Sequence, residues 1–448
     1  MADVIKIKKG LDIKLKGKPE TRLIDAGKSD VYSFSPDDFA GLTPKVIVKA
    51  GDKVKAGTVL MTDKNNPEVG FVSSVSGEVL SVNRGERRKV LSIEVKSDGK
   101  SDSELFGTKN PESMSGEEIK QALLTAGLWP FIKQRPYDVI ANPGVAPRDI
   151  FVSAFDSAPL APDFEFVLKG EEKNFETGLV ALSKMTTGKL YVGVKEGSSV
   201  PVPKNVVVKS FSGKHPAGNI GTQIHFTAPV NKGETVWTVQ AADVLFIGRL
   251  FNKGVVDLTR TLAITGSEVV KPSYTKALIG ASMESIVGGN VVMGKTLRYI
   301  SGNVLTGANV GKNGFLTTYA TQVTIIPEGT EVHEFLGWGM PGIGKYSASR
   351  LFLSGFLAKK EYTIDARIKG GERAMIMSGE YDKVFPMDIY PEFLLKAIIA
   401  FDIDKMENLG IYEVAPEDFA LCEFVDTSKM KLQHIVREGL IKLMKEMN

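Results

Sequence analysis

The sequence predicts an α/β protein built from several domains. Its 448 residues suggest about three domains by length alone, and 43% hydrophobic with 24% charged residues is the composition of an ordinary folded chain. Short strands with turn glycines come first, mixed helices and strands follow, and amphipathic helices close the chain. We therefore place four units at residues 1–100, 101–255, 256–330 and 331–448.

Residues 1–100 predict a small β barrel or sandwich. Strands separated by glycines run through Val46–Leu60 and Phe71–Leu80. These stretches resemble a biotinyl or lipoyl carrier domain, and Asp63-Lys64 is similar to the position of its modified lysine. A carrier lysine lies at the tip of a tight hairpin, however, and the inserted Asn65-Asn66-Pro67 breaks that spacing. We expect a lipoyl-like barrel-sandwich fold without modification of Lys64.

Residues 101–255 predict an α/β sheet. Ser115-Gly-Glu-Glu118 is a capping box, apolar residues continue at helical spacing, and Gly127 is a natural stop. Short apolar strands follow this helix, and they lie at Asp138–Ala141, Ile150–Ala154, Lys189–Val194 and Asn205–Val208. Such alternation of helices and strands predicts a Rossmann-like, three-layer domain.

The segment Lys214–Phe226 holds two of the four histidines in a glycine-interrupted pattern that predicts strands joined by a loop. It resembles the loop Tyr-Pro-x-Gly-x-Glu with which the NADH-binding subunit of respiratory complex I and its bacterial relatives contact nicotinamide. His215 replaces the tyrosine, and Ile220 replaces the glutamate. An apolar Ile220 cannot accept a hydrogen bond from a ribose. The alternative is an ordinary loop of a sheet.

Two further stretches depart from the same relatives. Thr125–Pro130 stands where they have a glycine-rich phosphate loop, and Leu128 and Trp129 would fill the volume that the phosphates need. Phe155–Pro159 is similar to their acidic Asp-Glu-x-Glu-Pro segment but keeps only the carboxylate of Asp156. We therefore expect a Rossmann-like domain without a cofactor.

Two nucleotide motifs match by letters alone. Gly289–Thr296 fits the P-loop pattern, but that loop requires a helix from Lys295, and Leu297–Leu305 predicts a strand and a turn. Gly337–Gly342 fits a dinucleotide pattern, but its tryptophan and methionine crowd the turn and its proline removes an amide donor. We treat both matches as chance.

The two remaining units differ in their patterns. Residues 256–330 contain glycine-rich strands, and residues 331–448, where helices return, are predicted to be mainly helical. Residues 256–330 resemble the small β-grasp module called the soluble-ligand-binding domain, with a plain β meander as the alternative. Helices are predicted at Pro391–Phe401 and Pro416–Cys422. The last helix carries an apolar stripe that favours core packing over partner docking, and it consists of Leu432, Ile435, Val436, Leu440, Leu443, Met444 and Met447.

Composition excludes several classes of function. Cys422 is the only cysteine, so the chain has no internal disulfide and no cluster held by the usual thiolates of one chain. The histidines lack the close spacing of metal ligands. A net charge of +3 does not predict nucleic-acid binding. Neither a signal peptide nor a membrane span is predicted, so we expect a cytoplasmic, soluble chain.

One basic cluster in the sequence has three possible surroundings. Arg84, Arg87, Arg88 and Lys89 lie close together in the first unit. Such a cluster is typical of a solvated turn, and the alternatives are contact with anionic lipid headgroups or with an acidic protein.

Five sequence blocks carry a family resemblance, and they are Ile150–Asp163, Gly213–Gly221, Gly337–Gly342, Gly370–Met375 and Asp418–Val425. On these blocks the chain is identified as a member of the peripheral-subunit family of the bacterial sodium-translocating NADH:quinone oxidoreductases. That family continues the last block with Cys-Pro-Gly-Lys, whereas this chain has Asp426-Thr-Ser-Lys429. We therefore assign no redox role to Cys422.

The resemblance implies a subunit on the cytoplasmic side of the bacterial inner membrane, within a six-subunit complex that passes electrons from NADH to ubiquinone or menaquinone and exports sodium. It implies no cofactor on this chain, flavins and an iron–sulfur cluster on the other five subunits, and quinone as a possible ligand. The candidate residues around the vestigial cleft are Trp129, Asp156, His215 and Gly218. The alternatives are a stand-alone NADH-dependent flavin oxidoreductase and a lipoyl-type carrier.

Overall fold

The computed structural model describes residues 4–332, 339–356 and 360–447. The first hundred residues form nine strands: β1 (Val4–Ile7), β2 (Leu23–Ile24), β3 (Val31–Phe34), β4 (Pro44–Val46), β5 (Lys53–Val54), β6 (Val59–Asp63), β7 (Gly70–Val72), β8 (Gly77–Arg84) and β9 (Val90–Ser97). Seven of them build two antiparallel sheets, ordered β3-β9-β8-β5 and β4-β6-β7. Leu60, Val79 and Ile93 are buried between them. The predicted barrel-sandwich is therefore confirmed.

Lys64 lies after β6 and not at the tip of a tight hairpin. β6 ends at Asp63, and β7 starts only at Gly70, so an exposed Lys64 opens the loop 64–69. The predicted effect of the inserted residues on the spacing is thus visible in the fold.

The second unit contains five helices and six strands: α1 (Gly116–Thr125), β10 (Lys133–Arg135), β11 (Val139–Ile140), β12 (Ile150–Ser153), α2 (Phe164–Leu168), α3 (Glu172–Ser183), β13 (Leu190–Lys195), β14 (Val207–Gly213), α4 (Ile220–Thr227), β15 (Val236–Gln240) and α5 (Ala241–Lys253). Its sheet has the order β1-β14-β13-β12-β15-β10-β11. The strands from β1 to β15 in that order are parallel, while β10 and β11 are antiparallel. α3 and α5 pack against each other.

The predicted start and stop of α1 are confirmed. Ser115 Oγ accepts from the Glu118 amide at 3.3 Å, and Glu118 Oε2 accepts from the Ser115 amide at 2.8 Å, which is a complete capping box. Gly127 follows the helix with φ +65°. A Cβ there would lie 2.3 Å from Val72 Cγ1, so glycine permits both the turn and the approach of the first unit.

The prediction of strands within Lys214–Phe226 was wrong. The segment turns through Asn219 and then forms α4. Ile220 and Ile224 are four residues apart, which places them on one helical face, and they pack against Phe151, Val230 and Val236. Burial of this apolar face stabilises the helix, although the glycines of the segment favour a loop.

The third unit is a mixed sheet with one short helix. Its elements are β16 (Thr259–Thr265), β17 (Ser273–Leu278), the helix α6 (Met283–Val287), β18 (Leu297–Ser301), β19 (Ala308–Asn309) and β20 (Gln322–Pro327). The strand order is β19-β18-β20-β16-β17-β2. In the P-loop match, the chain passes from Lys295 directly into β18, and Lys295 Nζ lies 3.2 Å from Glu268 Oε2. This segment therefore lacks the helix that would face a phosphate.

The first unit shares strands with its neighbours. β1 pairs in parallel with β14 of the second sheet, and β2 pairs in parallel with β17 of the third. The predicted unit 1–100 therefore contributes two strands to other sheets. Such pairing depends on contacts more than 200 residues away in sequence, which a local pattern cannot reveal.

The fourth unit is irregular before it becomes helical. Among the described residues from 339 to 380, the regular structure is one 3-10 helix at Leu353–Phe356, a correction to the helical prediction there. Residues 337 and 338 of the dinucleotide match lie outside the described residues. The helices are α7 (Tyr381–Val384), α8 (Pro391–Ala400), α9 (Ile403–Asn408), α10 (Ala420–Val425) and α11 (Leu432–Met447), with a 3-10 turn at Pro416–Phe419.

Most of the stripe on α11 packs as predicted, although Met447 at its end is exposed. Leu432, Val436, Leu440 and Leu443 are buried in one core with Leu394 and Leu395 of α8. Cys422 lies in the same core as a free, buried thiol. Within the described residues, none of the helices combines the length and the apolar character needed to cross a bilayer.

A buried arginine ties this helical unit to the second sheet. Arg135 of β10 is fully buried, and its Nη1 donates to the Glu413 carbonyl at 2.6 Å and to Asp418 Oδ2 at 2.9 Å. Asp418 also accepts from the Ala415 amide at 2.8 Å. Since both charges are out of water, removing one of them leaves the other uncompensated.

We expect Arg135→Met to lower the free energy of unfolding by about 3–5 kcal/mol, and Arg135→Met with Asp418→Leu to restore much of that loss. Urea denaturation followed by circular dichroism measures both. Lys405→Met, which breaks the exposed pair with Asp402, is the control and should leave the midpoint unchanged. A double variant no more stable than the single one would contradict the assignment.

Candidate functional site

The second sheet reverses its strand order between β12 and β15. The chain winds outward from β12 through β13 to β14, and then returns to place β15 on the other side of β12. In open α/β sheets, ligands bind at the carboxyl ends of the strands beside such a reversal. The candidate site is therefore expected after Ser153 and after Gln240.

A buried ion pair lies close to the carboxyl end of β15. α5 begins immediately after β15, and Asp243 in its first turn pairs with Arg260 of β16. Both side chains are buried, and burial raises the pKa of Asp243 to about 6 although Arg260 opposes the shift. The amino end of α5, which would attract a phosphate, therefore faces a carboxylate of the same chain.

The third sheet closes the β12 side. Gln322 Nε2 of β20 donates to the Pro159 carbonyl at 3.3 Å, and Tyr274 Oη of β17 accepts from the Asp163 amide at 2.8 Å. The loop after β12 is thus held against a neighbouring unit along much of its length.

Trp129 lies away from this edge. Its indole is fully buried, packs edge-on against Trp237 with ring centroids 5.2 Å apart, and donates from Nε1 to the Ala141 carbonyl at 2.6 Å. Trp237 pairs with Ile150 at the amino end of β12, whereas Asp156 follows the carboxyl end. Leu128 is also fully buried. Both bulky side chains of this turn are part of the core, and the described contacts do not join Trp129 to the other candidates.

The other three candidates come together around Ser157. Ser157 Oγ accepts from the Gly218 amide at 2.8 Å and lies 3.0 Å from His215 Nδ1. A Cβ on Gly218 would lie 2.5 Å from the Ser157 amide nitrogen, so only glycine lets the two loops meet. Asp156 directly precedes Ser157 in the chain. Ser157, which the sequence did not single out, is the hydroxyl that links the site.

His215 is a neutral imidazole at pH 7. It is buried, and burial lowers its pKa to about 4 by disfavouring the charged ring. Because Ser157 Oγ already accepts from Gly218, donation of its proton to Nδ1 satisfies both groups and places the imidazole proton on Nε2. Its backbone amide donates to Asp12 Oδ1 at 3.0 Å, and its carbonyl accepts from Leu11 at 2.9 Å.

Asp156 lies on the exposed part of the loop that follows β12. Its side chain is exposed, yet desolvation by the surrounding protein raises the pKa of its carboxyl above the ordinary value. Asp156 Oδ1 accepts from the Ala158 amide at 2.8 Å, which opposes the shift and orients the carboxyl group.

This site offers a few polar groups rather than a metal centre. Within residues 4–332, 339–356 and 360–447, no group of three or more histidine, cysteine or carboxylate side chains is arranged to hold a metal ion. A separate apolar cavity of about 30 Å³ between Phe39, Phe71, Phe131 and Leu258 has room for about one water molecule and not for an aromatic ligand.

Protonation of His215 should destabilise the fold. Its folded pKa of about 4 lies below the unfolded value, so the unfolded chain binds the extra proton first and stability falls as pH drops from about 6.5 to about 4. We expect a loss of about 3 kcal/mol across that window, measured by urea denaturation. His215→Gln should flatten the dependence, while His434→Gln, at an exposed histidine, should not. Equal slopes in both variants would refute the assignment.

Three domain families match the chain. They are the NqrA N-terminal barrel-sandwich hybrid domain over residues 5–98, the NqrA second alpha/beta domain over residues 114–256, and the NQRA C-terminal domain over residues 261–312. Among solved structures, an NAD⁺-reducing [NiFe]-hydrogenase aligns with TM-score 0.37 and 9% identity over 75% of this chain and 64% of that one, which is too weak to establish a shared fold.

Full-length relatives agree with these domains. The chain is 37% identical over 448 residues to the Na(+)-translocating NADH-quinone reductase A-subunit of Pasteurella multocida, covering 99% of this chain and 100% of that protein. It is 38% identical over 449 residues to the protein of the same name from Neisseria meningitidis, with the same coverage. The chain therefore belongs to the NqrA family, the A-subunits of the Na⁺-translocating NADH-quinone reductases.

Proposed function

We propose that this chain is the peripheral, cofactor-free subunit of a sodium-translocating NADH-quinone reductase, in which it supports quinone reduction coupled to sodium export. The subunit role is supported by full-length similarity to proteins that carry this name. The cofactor-free role is supported by the buried Asp243–Arg260 pair close to the carboxyl end of β15, beside the strand reversal. A dinucleotide would have to displace that pair, and a buried pair that loses one partner is costly.

The finer fold assignments belong to the same proposal. The parallel order β14-β13-β12-β15 supports a Rossmann-like second unit. The antiparallel pair β16–β17, the helix α6 and the parallel pairing of β20 with β16 support a β-grasp third unit. We keep the four predicted units, except that β1 and β2 belong to the second and third sheets.

The partners follow from the subunit role. Flavins and an iron–sulfur cluster would lie on the other five subunits, and this chain would attach to the cytoplasmic side of the inner membrane through membrane-embedded partners. Since no electron carrier is assigned to this chain, it would contribute to the reaction by binding the quinone.

The quinone contact is proposed at Asp156, His215 and Gly218. The Nε2–H of a neutral His215 can donate to a quinone carbonyl oxygen, and a protonated Asp156 can donate to a carbonyl as well. Gly218 contributes by letting the two loops of the site meet, because a Cβ there would lie 2.5 Å from the Ser157 amide nitrogen. Trp129 acts only indirectly, by filling the core under the preceding turn.

Two other functions are less well supported. A stand-alone NADH-dependent flavin oxidoreductase needs the crevice that Asp243 and Arg260 occupy. A lipoyl-type carrier needs its lysine at a hairpin tip, whereas Lys64 opens a longer loop. Purified as a single chain, the first would be yellow and oxidise NADH, and the second would gain mass at Lys64.

Titration of a short-chain ubiquinone by calorimetry tests the quinone contact. Asp156→Ala should weaken binding roughly fivefold, since one neutral hydrogen bond is lost, and should remove a rise in affinity at lower pH that follows protonation of Asp156. Trp129→Phe should bind the quinone unchanged while losing about 1–2 kcal/mol of stability, because Ala141 loses its donor. Weaker binding in the Trp129 variant alone would remove the cleft from the proposal.

Reconstitution tests the subunit role. The other subunits of the complex are purified with and without this chain, and NADH oxidation is followed with ferricyanide and with ubiquinone as acceptors. We expect the chain to be needed for quinone reduction and not for ferricyanide reduction, and the chain alone to oxidise no NADH. Full quinone reduction without it would overturn the proposed function.

A further inference from the structure

Residues 339–356 form a folded loop on the surface of the fourth unit, which we call the apolar loop. Leu353 N donates to the Pro341 carbonyl at 3.1 Å, and Ser354 Oγ donates to the Lys345 carbonyl, so the two arms of the loop are tied together. Tyr362 Oη donates to the Ser354 carbonyl at 2.9 Å and fixes its base. The loop is therefore a defined surface rather than a tail.

This loop exposes large apolar side chains, and they are Met340, Ile343, Leu351, Leu353 and Phe356. Phe356 is 86% exposed. Clusters of exposed apolar side chains on soluble chains mark sites of contact with proteins or membranes. These five side chains are exposed to solvent in the folded chain.

The charged residues of the same loop are all basic. It contains Lys345 and the exposed Arg350, and none of residues 339–356 is acidic, while Lys360 and Glu361 follow as a pair of opposite charges. The chain as a whole has 53 acidic residues among 448, so a stretch of this length would on average hold about two. Apolar side chains combined with a net basic charge fit an anionic surface with an apolar layer beneath it.

We propose that the apolar loop is a membrane-docking element that inserts Leu351, Leu353 and Phe356 into the headgroup region of an anionic lipid bilayer. This inference rests on the proposed function, which places the chain at a membrane. Peripheral anchors combine apolar side chains with lysine or arginine, as this loop does. Lipid is favoured over a protein partner because the exposed apolar side chains are spread along a loop and are mostly aliphatic, whereas protein hot spots concentrate tryptophan, tyrosine and arginine in one pocket.

The base of the loop connects to the candidate cleft. Tyr346 packs against Tyr362 with ring centroids 5.8 Å apart, and burial together with the nearby Asp12 raises its pKa to about 12. Asp12 in turn accepts from the His215 amide. Tyr346 and Asp12 thus link the apolar loop to the segment that holds His215.

The basic cluster of the first unit is the competing surface. Arg84, Arg87, Arg88 and Lys89 surround one turn, but Lys89 pairs with Asp37 at 2.8 Å and Glu86 lies in the same turn. Its charge is partly neutralised, which makes it the weaker partner for lipid.

Vesicle flotation tests the loop with the full chain. Vesicles of phosphatidylcholine with phosphatidylglycerol are compared with vesicles of phosphatidylcholine alone. We expect the chain to float with the first kind, less so at high salt, and Leu351→Asp with Phe356→Asp to lower the bound fraction roughly tenfold. Leu105→Asp is the matched control, because Leu105 is also 86% exposed but lies outside the loop, and it should change nothing.

Charge reversal separates the two surfaces. Arg350→Glu should weaken flotation, while Arg87→Glu should not. The proposal is overturned if the chain does not float, if the loop variants float like the parent chain, if Arg87→Glu alone abolishes binding, or if binding appears only when membrane subunits are present. Failure of flotation with normal quinone reduction in the reconstituted complex would overturn the loop assignment and leave the proposed function intact.

Discussion

The buried ion pair between Asp243 and Arg260 determines what the second sheet can do. It joins the first turn of α5, which follows the carboxyl end of β15, to the first residues of β16. Parallel sheets of this order normally bind their ligands at the carboxyl ends of the strands. Burying two charges is tolerable only because each compensates the other. The pair therefore holds the first turn of α5 against the third sheet, and it places a carboxylate of the chain near the amino end of that helix.

The candidate polar groups lie on the β12 side. There the loop after β12 and the turn before α4 meet through Ser157 and Gly218, and the amino-terminal segment holds His215 from behind. The resulting cleft has a neutral imidazole and a desolvated carboxyl group, which suits a ligand with carbonyl oxygens better than one with phosphates. Residues from three parts of the chain build it, so the fold must be complete before the site exists.

Local signals in the sequence predicted much of this fold. The capping box at Ser115, the stop at Gly127 and the stripe on α11 each act within a few residues, and each is confirmed. The strands within Lys214–Phe226 were predicted wrongly, because glycines outweighed the helical spacing of Ile220 and Ile224 in the interpretation. Trp129 was expected at the cleft on the strength of its bulk, but the same bulk is buried beside Trp237.

Other features had no local signal. The pairing of β1 with β14 and of β2 with β17 joins segments far apart in sequence, and Asp243 and Arg260 belong to different units. Calorimetric titration of NADH and of FMN into the full chain tests the central claim most directly. The sealed crevice predicts no saturable heat at millimolar concentrations of either ligand. Saturable binding of one molecule per chain, weakened by a substitution at Asp243, would show that the crevice opens and would contradict the account.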